Sequence, residues 1–101
     1  MKLMTKAILG KLPKLYANED KKSEDVKVIV KFFCPWNQWT WYATEFDGED
    51  TFFGFVKGIE NELGYFSLNE LKSVKGRFGL GIERDMYFRE QTLKEVMEKA
   101  L

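Results

Sequence analysis

The chain has 101 residues, of which 45% are apolar, 32% charged and 16% aromatic. That balance fits one folded domain over residues 1–101 with a modest core and excludes a disordered chain. It holds no histidine and one cysteine, Cys34, which excludes Ser-His-Asp and Cys-His catalysis, imidazole metal ligation, an intramolecular disulfide and a thiolate zinc cluster. Sixteen basic residues offset sixteen acidic ones, so no global field draws the protein to nucleic acid or a membrane.

In chain order, Thr5 is placed to cap a first helix, with Ile8, Leu9, Leu12, Leu15 and Tyr16 on its apolar stripe. Gly10 and Pro13 interrupt the stripe, and Pro13 is expected to open a second short helix. Residues 17–25 are polar and read as an exposed, mobile loop. Val26, Val28, Val30 and Phe32 alternate with Lys27, Ile29, Lys31 and Phe33, the pattern of one strand that ends at Cys34-Pro35. Gln38 to Phe46 alternates again, with Trp39, Trp41 and Ala43 on one face and Thr40, Tyr42, Thr44 and Phe46 on the other. Asp47-Gly48-Glu49-Asp50 is a turn, and Thr51 to Lys57 returns as its hairpin partner. Gly54 within that strand marks a bulge or the close approach of a neighbouring ring.

Residues 59–63 read as a loop or a single helical turn, and Gly64-Tyr65-Phe66 as a short strand. Ser67 and Glu70 have capping-box spacing ahead of a helix running to about Val74, and Thr92 and Glu95 repeat that spacing ahead of a C-terminal helix. Lys75 to Gly81 is a glycine-punctuated loop, and Met86 to Phe88 is expected to add a last strand. The expected fold is α+β: an antiparallel meander of four or five strands, with N- and C-terminal helices packed on one face.

No stretch approaches the roughly 20 apolar residues that span a bilayer. Ala7-Ile8-Leu9 is too short for a secretory core, and an unpaired cysteine fits a reducing compartment, so a cytoplasmic location is expected. Charge is divided along the chain: residues 1–44 carry eight lysines against four acids, whereas residues 45–70 carry seven acids against Lys57 alone. The acidic middle is read as a solvated rim in preference to a ligand site.

Three groups of residues can carry chemistry. Ten of the 16 aromatics fall between Phe32 and Phe55, which is more than one core face needs. Core packing is the first reading, and the surplus is left to an interface with Trp36, Trp39, Trp41 and Tyr42 as anchors. Glu45, Asp47 and Asp50, joined by Glu83 and Asp85 if the fold brings them near, are the only candidates for a metal, and carboxylates favour hard divalent cations. The spacing is not that of an EF-hand, because Phe52 stands where such a loop requires glycine. Arg84, between Glu83 and Asp85, reads first as part of an ion-pair network and second as an anion contact. Cys34 is a small buried hydrophobe, since no imidazole can activate it.

Certain segments match a family signature. They are Lys11-Leu12-Pro13 with Leu15-Tyr16, Lys31-Phe32-Phe33, Pro35-Trp36, Trp39-Thr40-Trp41-Tyr42, Thr44 to Gly54, Glu62 to Leu68, Leu71, and Gly79-Leu80 with Ile82-Glu83-Arg84-Asp85. On these the chain resembles a small bacterial family known only as a domain of unknown function, whose members are common on plasmids, conjugative elements and phages. The resemblance implies an accessory protein of a mobile element. It supplies no activity, cofactor or site residue.

The preferred function is a non-enzymatic protein-binding module, monomeric or homodimeric, that needs no cofactor. It uses the aromatic sheet face, with Glu49 and the acidic hairpin to steer a partner. The alternatives are a divalent-metal-dependent phosphodiester or nucleotide hydrolase using the clustered carboxylates, and single-stranded nucleic-acid binding beside Lys27 and Lys31. A protein partner is preferred to nucleic acid because the net charge is zero and the hairpin tip is acidic.

Overall fold

The computed structural model describes residues 2–101. Helix α1 (Lys6–Lys11) begins where Thr5 Oγ1 accepts from the Ile8 N–H, as the sequence predicts. The second helix expected at Pro13 does not form; turns occupy residues 15–20. Tyr16 has φ 71°, outside the helical range, and the N–H groups of Tyr16 and Asn18 point to a side chain elsewhere in the chain instead of to carbonyls one turn back. Short strand β1 (Lys27–Val28) is followed by β2 (Val30–Phe33), β3 (Thr40–Phe46), β4 (Thr51–Lys57), β5 (Asn61–Ser67) and helix α2 (Leu68–Ser73). Two-residue strands β6 (Glu83–Arg84) and β7 (Gln91–Thr92) precede helix α3 (Leu93–Lys99).

The main sheet is antiparallel with strand order β5-β4-β3-β2-β6, a meander with one added edge strand; β1 and β7 form a separate two-stranded ladder. The single strand expected over Val26–Phe33 is therefore two. At Ile29, whose N–H donates to the Ala43 carbonyl, the chain leaves the β7 ladder for the main sheet. The break divides an alternation that would otherwise keep one face: Val26 and Val28 enter one core, Val30 and Phe32 the other. Residues 61–63, expected as loop or helical turn, extend β5. Met86–Phe88 is a turn, and the last strands lie on either side of it.

The sheet is covered on both faces, not on the one face expected. On the first, Phe52 sits fully buried among Phe32, Phe46 and Phe66, at ring-centroid separations of 5.5, 4.4 and 5.1 Å. Leu3, Ile8 of α1 and Leu68 and Leu71 of α2 close over them. On the second, Phe55 and Tyr42 meet Val28 and α3 through Leu93 and Val96. Helix α3 has the full capping box: Glu95 N–H donates to Thr92 Oγ1 at 3.1 Å and Thr92 N–H to Glu95 Oε1 at 3.0 Å.

One irregularity assigns residues to these faces. Ala43 pairs with Gly54 but Glu45 pairs with Phe53, so β3 holds one extra residue, Thr44, whose hydroxyl donates to the Phe53 carbonyl at 3.0 Å. This is a β-bulge. It turns Phe46 toward the face that holds Ala43, opposite to strict alternation, and turns Glu45 to the other. Gly54 is required there: a Cβ on it would be driven into the Tyr42 carbonyl oxygen. The neighbour it crowds is thus backbone, not a ring.

Gly54→Ala is expected to cost about 2–3 kcal/mol or to prevent folding. The adjacent Gly64→Ala, whose Cβ meets nothing within 4 Å, is expected to stay within about 0.5 kcal/mol of wild type. Urea melts of the pair check this.

Candidate functional site

Three of the hairpin carboxylates, Glu45, Asp47 and Asp50, are engaged by the protein. Asp47 Oδ1 accepts from the N–H groups of Glu49, Asp50 and Thr51 at 2.8, 2.8 and 3.0 Å, which folds the turn. Those backbone donors, Glu49 and Asp50 foremost, hold the Asp47 carboxyl below its ordinary pKa. Asp50 reaches the start of α2: its Oδ1 accepts from the Asn69 N–H and its Oδ2 from the Ser67 hydroxyl, both at 2.7 Å. Glu45 is 4% exposed, and its two oxygens accept from the N–H groups of Tyr16 at 2.8 Å and Asn18 at 3.0 Å. The Phe46 N–H also donates to the Pro13 carbonyl, so residues 13–18 are fastened along the end of β3. Of the segment 17–25 expected to be mobile, Asn18 is bonded there and Ser23–Asp25 forms a 3₁₀ turn.

At the opposite edge Asp85 pairs with Lys31 at 3.6 Å, and Arg84 Nη1 donates to the Lys2 carbonyl at 2.6 Å. Glu83 faces Phe33 across the β2–β6 ladder. Among the described residues no three His, Cys, Asp or Glu side chains gather as a metal site, so the five carboxylate candidates do not converge. Glu49 stands exposed at the hairpin tip.

The aromatic candidates separate by depth. Trp41 is half-buried against the first core and stacks on Trp39 at 5.9 Å. Tyr42 packs in the second core between Phe55 and Phe88, with Lys31 Nζ 5.7 Å from its ring centroid. Burial raises the Tyr42 pKa and the Asp85 charge adds to it. Trp36 and Trp39 lie at the surface, each against a glycine: a Cβ on Gly76 would come within 2.8 Å of the Trp36 indole, and one on Gly58 would enter the Trp39 ring. Beside Trp36 stand Leu80, 48% exposed, and Phe78, 99% exposed with φ 62°. These form an open apolar ledge with Gly76 and Arg77.

The β3–β4 pairing sets the distance between the two candidate surfaces. Thr40 faces Lys57 at one end and Phe46 faces Phe52 at the other, so the tryptophan loop and the acidic hairpin lie at opposite ends of strands about 20 Å long. They do not make one surface.

Sequence reasoning missed two features. Phe78 is one, although its position one residue after Gly76-Arg77 and directly before Gly79 is a signal for a sharply exposed side chain. The other is a cavity of about 430 Å³ between residues 16–23, the second sheet face and α3. Phe53, Leu63 and Tyr65 of the sheet, Leu93 and Met97 of α3, and Tyr16 of the loop supply its apolar walls. The neighbouring Tyr16 hydroxyl raises the Tyr65 pKa; desolvation and the nearby Glu45 and Glu19 charges add to the effect.

A family model matches residues 3–100. The chain belongs to the family DUF2958, proteins of unknown function. Nothing matches among curated proteins or among solved structures. In this DUF2958 chain the family match thus bears out the resemblance to a domain of unknown function and brings no activity with it.

Glu45→Ala removes the acceptor of two backbone N–H groups beneath the 13–18 segment. It is expected to cost about 2–4 kcal/mol, read as a melting temperature lower by at least about 8 °C. Acid sensitivity follows from Asp47 and from Glu95, whose carboxyl is held down by the Thr92 backbone and hydroxyl. Both folded-state pKa values lie below the unfolded ones, so the stabilisation is complete above about pH 4–4.5 and is lost as pH falls through the folded values. Melting followed against pH should show that acid limb, and Asp47→Asn should flatten it.

Proposed function

We propose that this DUF2958 protein is a non-enzymatic binding module that docks a protein partner on the Trp36–Phe78–Leu80 ledge. The observation that carries the reading is Phe78, which holds a left-handed backbone conformation while its ring is 99% exposed. A non-glycine residue in that region costs about 1 kcal/mol, and an exposed ring returns nothing to the isolated fold. Trp36 beside it, seated on Gly76, has the character of an interface anchor. Arg77 on the ledge, with Lys72 and Lys75 nearby, favours a partner whose apolar side chain sits among acids. The acidic hairpin, at the far end of the sheet, is a turn and a helix cap in this reading. In this reading, which takes up the resemblance to mobile-element proteins, the partner is a host cytoplasmic protein or another product of the element.

The hydrolase alternative lacks comparable support, because Glu45, Asp47 and Asp50 serve separate hydrogen-bonding roles and no three ligating side chains gather among the described residues. The nucleic-acid alternative lacks it too, since Lys31 is paired with Asp85.

Affinity capture from the native host with wild type and Phe78→Gly side by side tests the docking reading. One stoichiometric partner should be lost from the variant. The variant's melting temperature should stay the same or rise by up to about 5 °C, because glycine relieves the left-handed backbone. Equal capture by both proteins, or a variant that melts lower because Phe78 supports the fold, overturns the proposal.

A further inference from the structure

The cavity on the second sheet face is lined by three aromatic residues and two carboxylates. Phe53 and Tyr65 meet edge-on at 5.0 Å, on adjacent strands paired at those two positions. Tyr16 is brought over them by the two hydrogen bonds that Glu45 accepts. Glu45 reaches the cavity from the sheet while nearly fully buried, and Glu19 and Lys21 line it from the loop. The lining charge is thus net negative by one in the ionised state.

Glu45 is only 4% exposed and has no cationic partner among the described ion pairs. Its compensation comes from two N–H dipoles alone. Aromatic faces attract soft cations through their quadrupole, at open sites such as this one, where Tyr16 and Tyr65 are 62% and 54% exposed, as well as at enclosed ones. A hard metal ion is a poor occupant, because no three ligating side chains converge here and hard cations take six or more oxygens. An organic ammonium group needs no such set. Its alkyl surface packs on rings while its charge is met at longer range by carboxylates. The cavity's size is within the roughly 300–1,000 Å³ typical of small-ligand sites.

We infer that the cavity formed by Tyr16, Phe53, Tyr65, Glu45 and Glu19 is a binding site for an alkylated ammonium group, carried either on a small free molecule or on a modified lysine side chain. The site is separate from the Trp36 ledge and does not depend on what docks there. Lys21 on the rim opposes the occupant by charge and lowers the affinity the aromatic residues would otherwise give.

The test is an amide titration of the full chain by NMR with choline and, in parallel, with 3,3-dimethylbutan-1-ol, its uncharged analogue of the same shape. Shifts should centre on Tyr16 to Lys21, Phe53 and Tyr65, and choline should bind about tenfold tighter than the alcohol. Tyr65→Leu, at a side chain already 54% exposed, should weaken choline about fivefold with the fold intact by melting. Lys21→Ala should tighten it by about twofold, an effect no loss of structure would produce. A trimethyllysine peptide run beside choline separates the sources: tighter peptide binding assigns the site to a protein-borne group, and equal or weaker binding to a free one. Equal affinity for choline and the alcohol, shifts confined to the Trp36 ledge, or no shift by about 10 mM choline overturns the inference. Phe78→Gly should bind choline like wild type, so failure here and failure of the docking reading are told apart.

Discussion

At Thr44 strand β3 carries one residue more than β4, and the excess is tolerated because Gly54 opposite has no side chain to strike the Tyr42 carbonyl. Everything beyond that point on β3 is reversed relative to simple alternation. Phe46 turns to the first face and stacks on Phe52 at 4.4 Å, completing the ring cluster around the fully buried Phe52. Glu45 turns to the second face, where it would be an unpaired buried charge without the Tyr16 and Asn18 N–H groups. The same local defect thus completes one core and recruits a distant loop to the other face.

This loop recruitment explains why a chain with a five-stranded sheet, a two-stranded ladder and three short α-helices closes over both faces of the larger sheet. Helices α1 and α2 cover the first, while α3 covers only part of the second. The remainder is roofed by residues 13–18, held by the Pro13 carbonyl, which accepts from the Phe46 N–H, and by the Tyr16 and Asn18 N–H groups, which donate to Glu45. A roof of that kind leaves a cavity. It also positions Tyr16 and Glu19, which a helix in their place would have aligned differently. At the other end of the sheet, glycines at 58 and 76 let Trp39 and Trp36 lie flat against the backbone, and the turn at Phe78 presents a ring to solvent. The two proposed binding surfaces therefore have different origins: one from a gap in the covering layer, the other from a turn held at local cost.

Much of this was legible in the residues. The caps at Thr5, Ser67 and Thr92, the β3–β4 hairpin and the antiparallel meander follow from local chemistry that acts within a few residues. Gly54 announced an irregularity, although its consequence for Phe46 and Glu45 depended on which strand took the extra residue. The reading failed where distant partners decided local form. Pro13 and the apolar Leu15 and Tyr16 promised a helix, but the Tyr16 and Asn18 N–H groups bond Glu45, 29 and 27 residues away. The Val26–Phe33 alternation gave no sign that Ile29 would separate two ladders, because both halves are equally apolar. The acidic hairpin looked like a ligand cluster from composition. Geometry disperses it into a turn, a helix cap and a loop anchor, three roles at separate places.

The claim that most depends on the bulge is that Glu45 holds the 13–18 segment against the sheet. Native-state hydrogen exchange, resolved at the Tyr16 and Asn18 amides, measures this directly. If Glu45 accepts both, these two amides exchange far more slowly than an unstructured chain, and more slowly than those of neighbouring loop residues that bond no acceptor. Exchange of Tyr16 and Asn18 at the rate of an unstructured chain would contradict the account, because the roof over the second face would then be open and the cavity beneath it would have no wall.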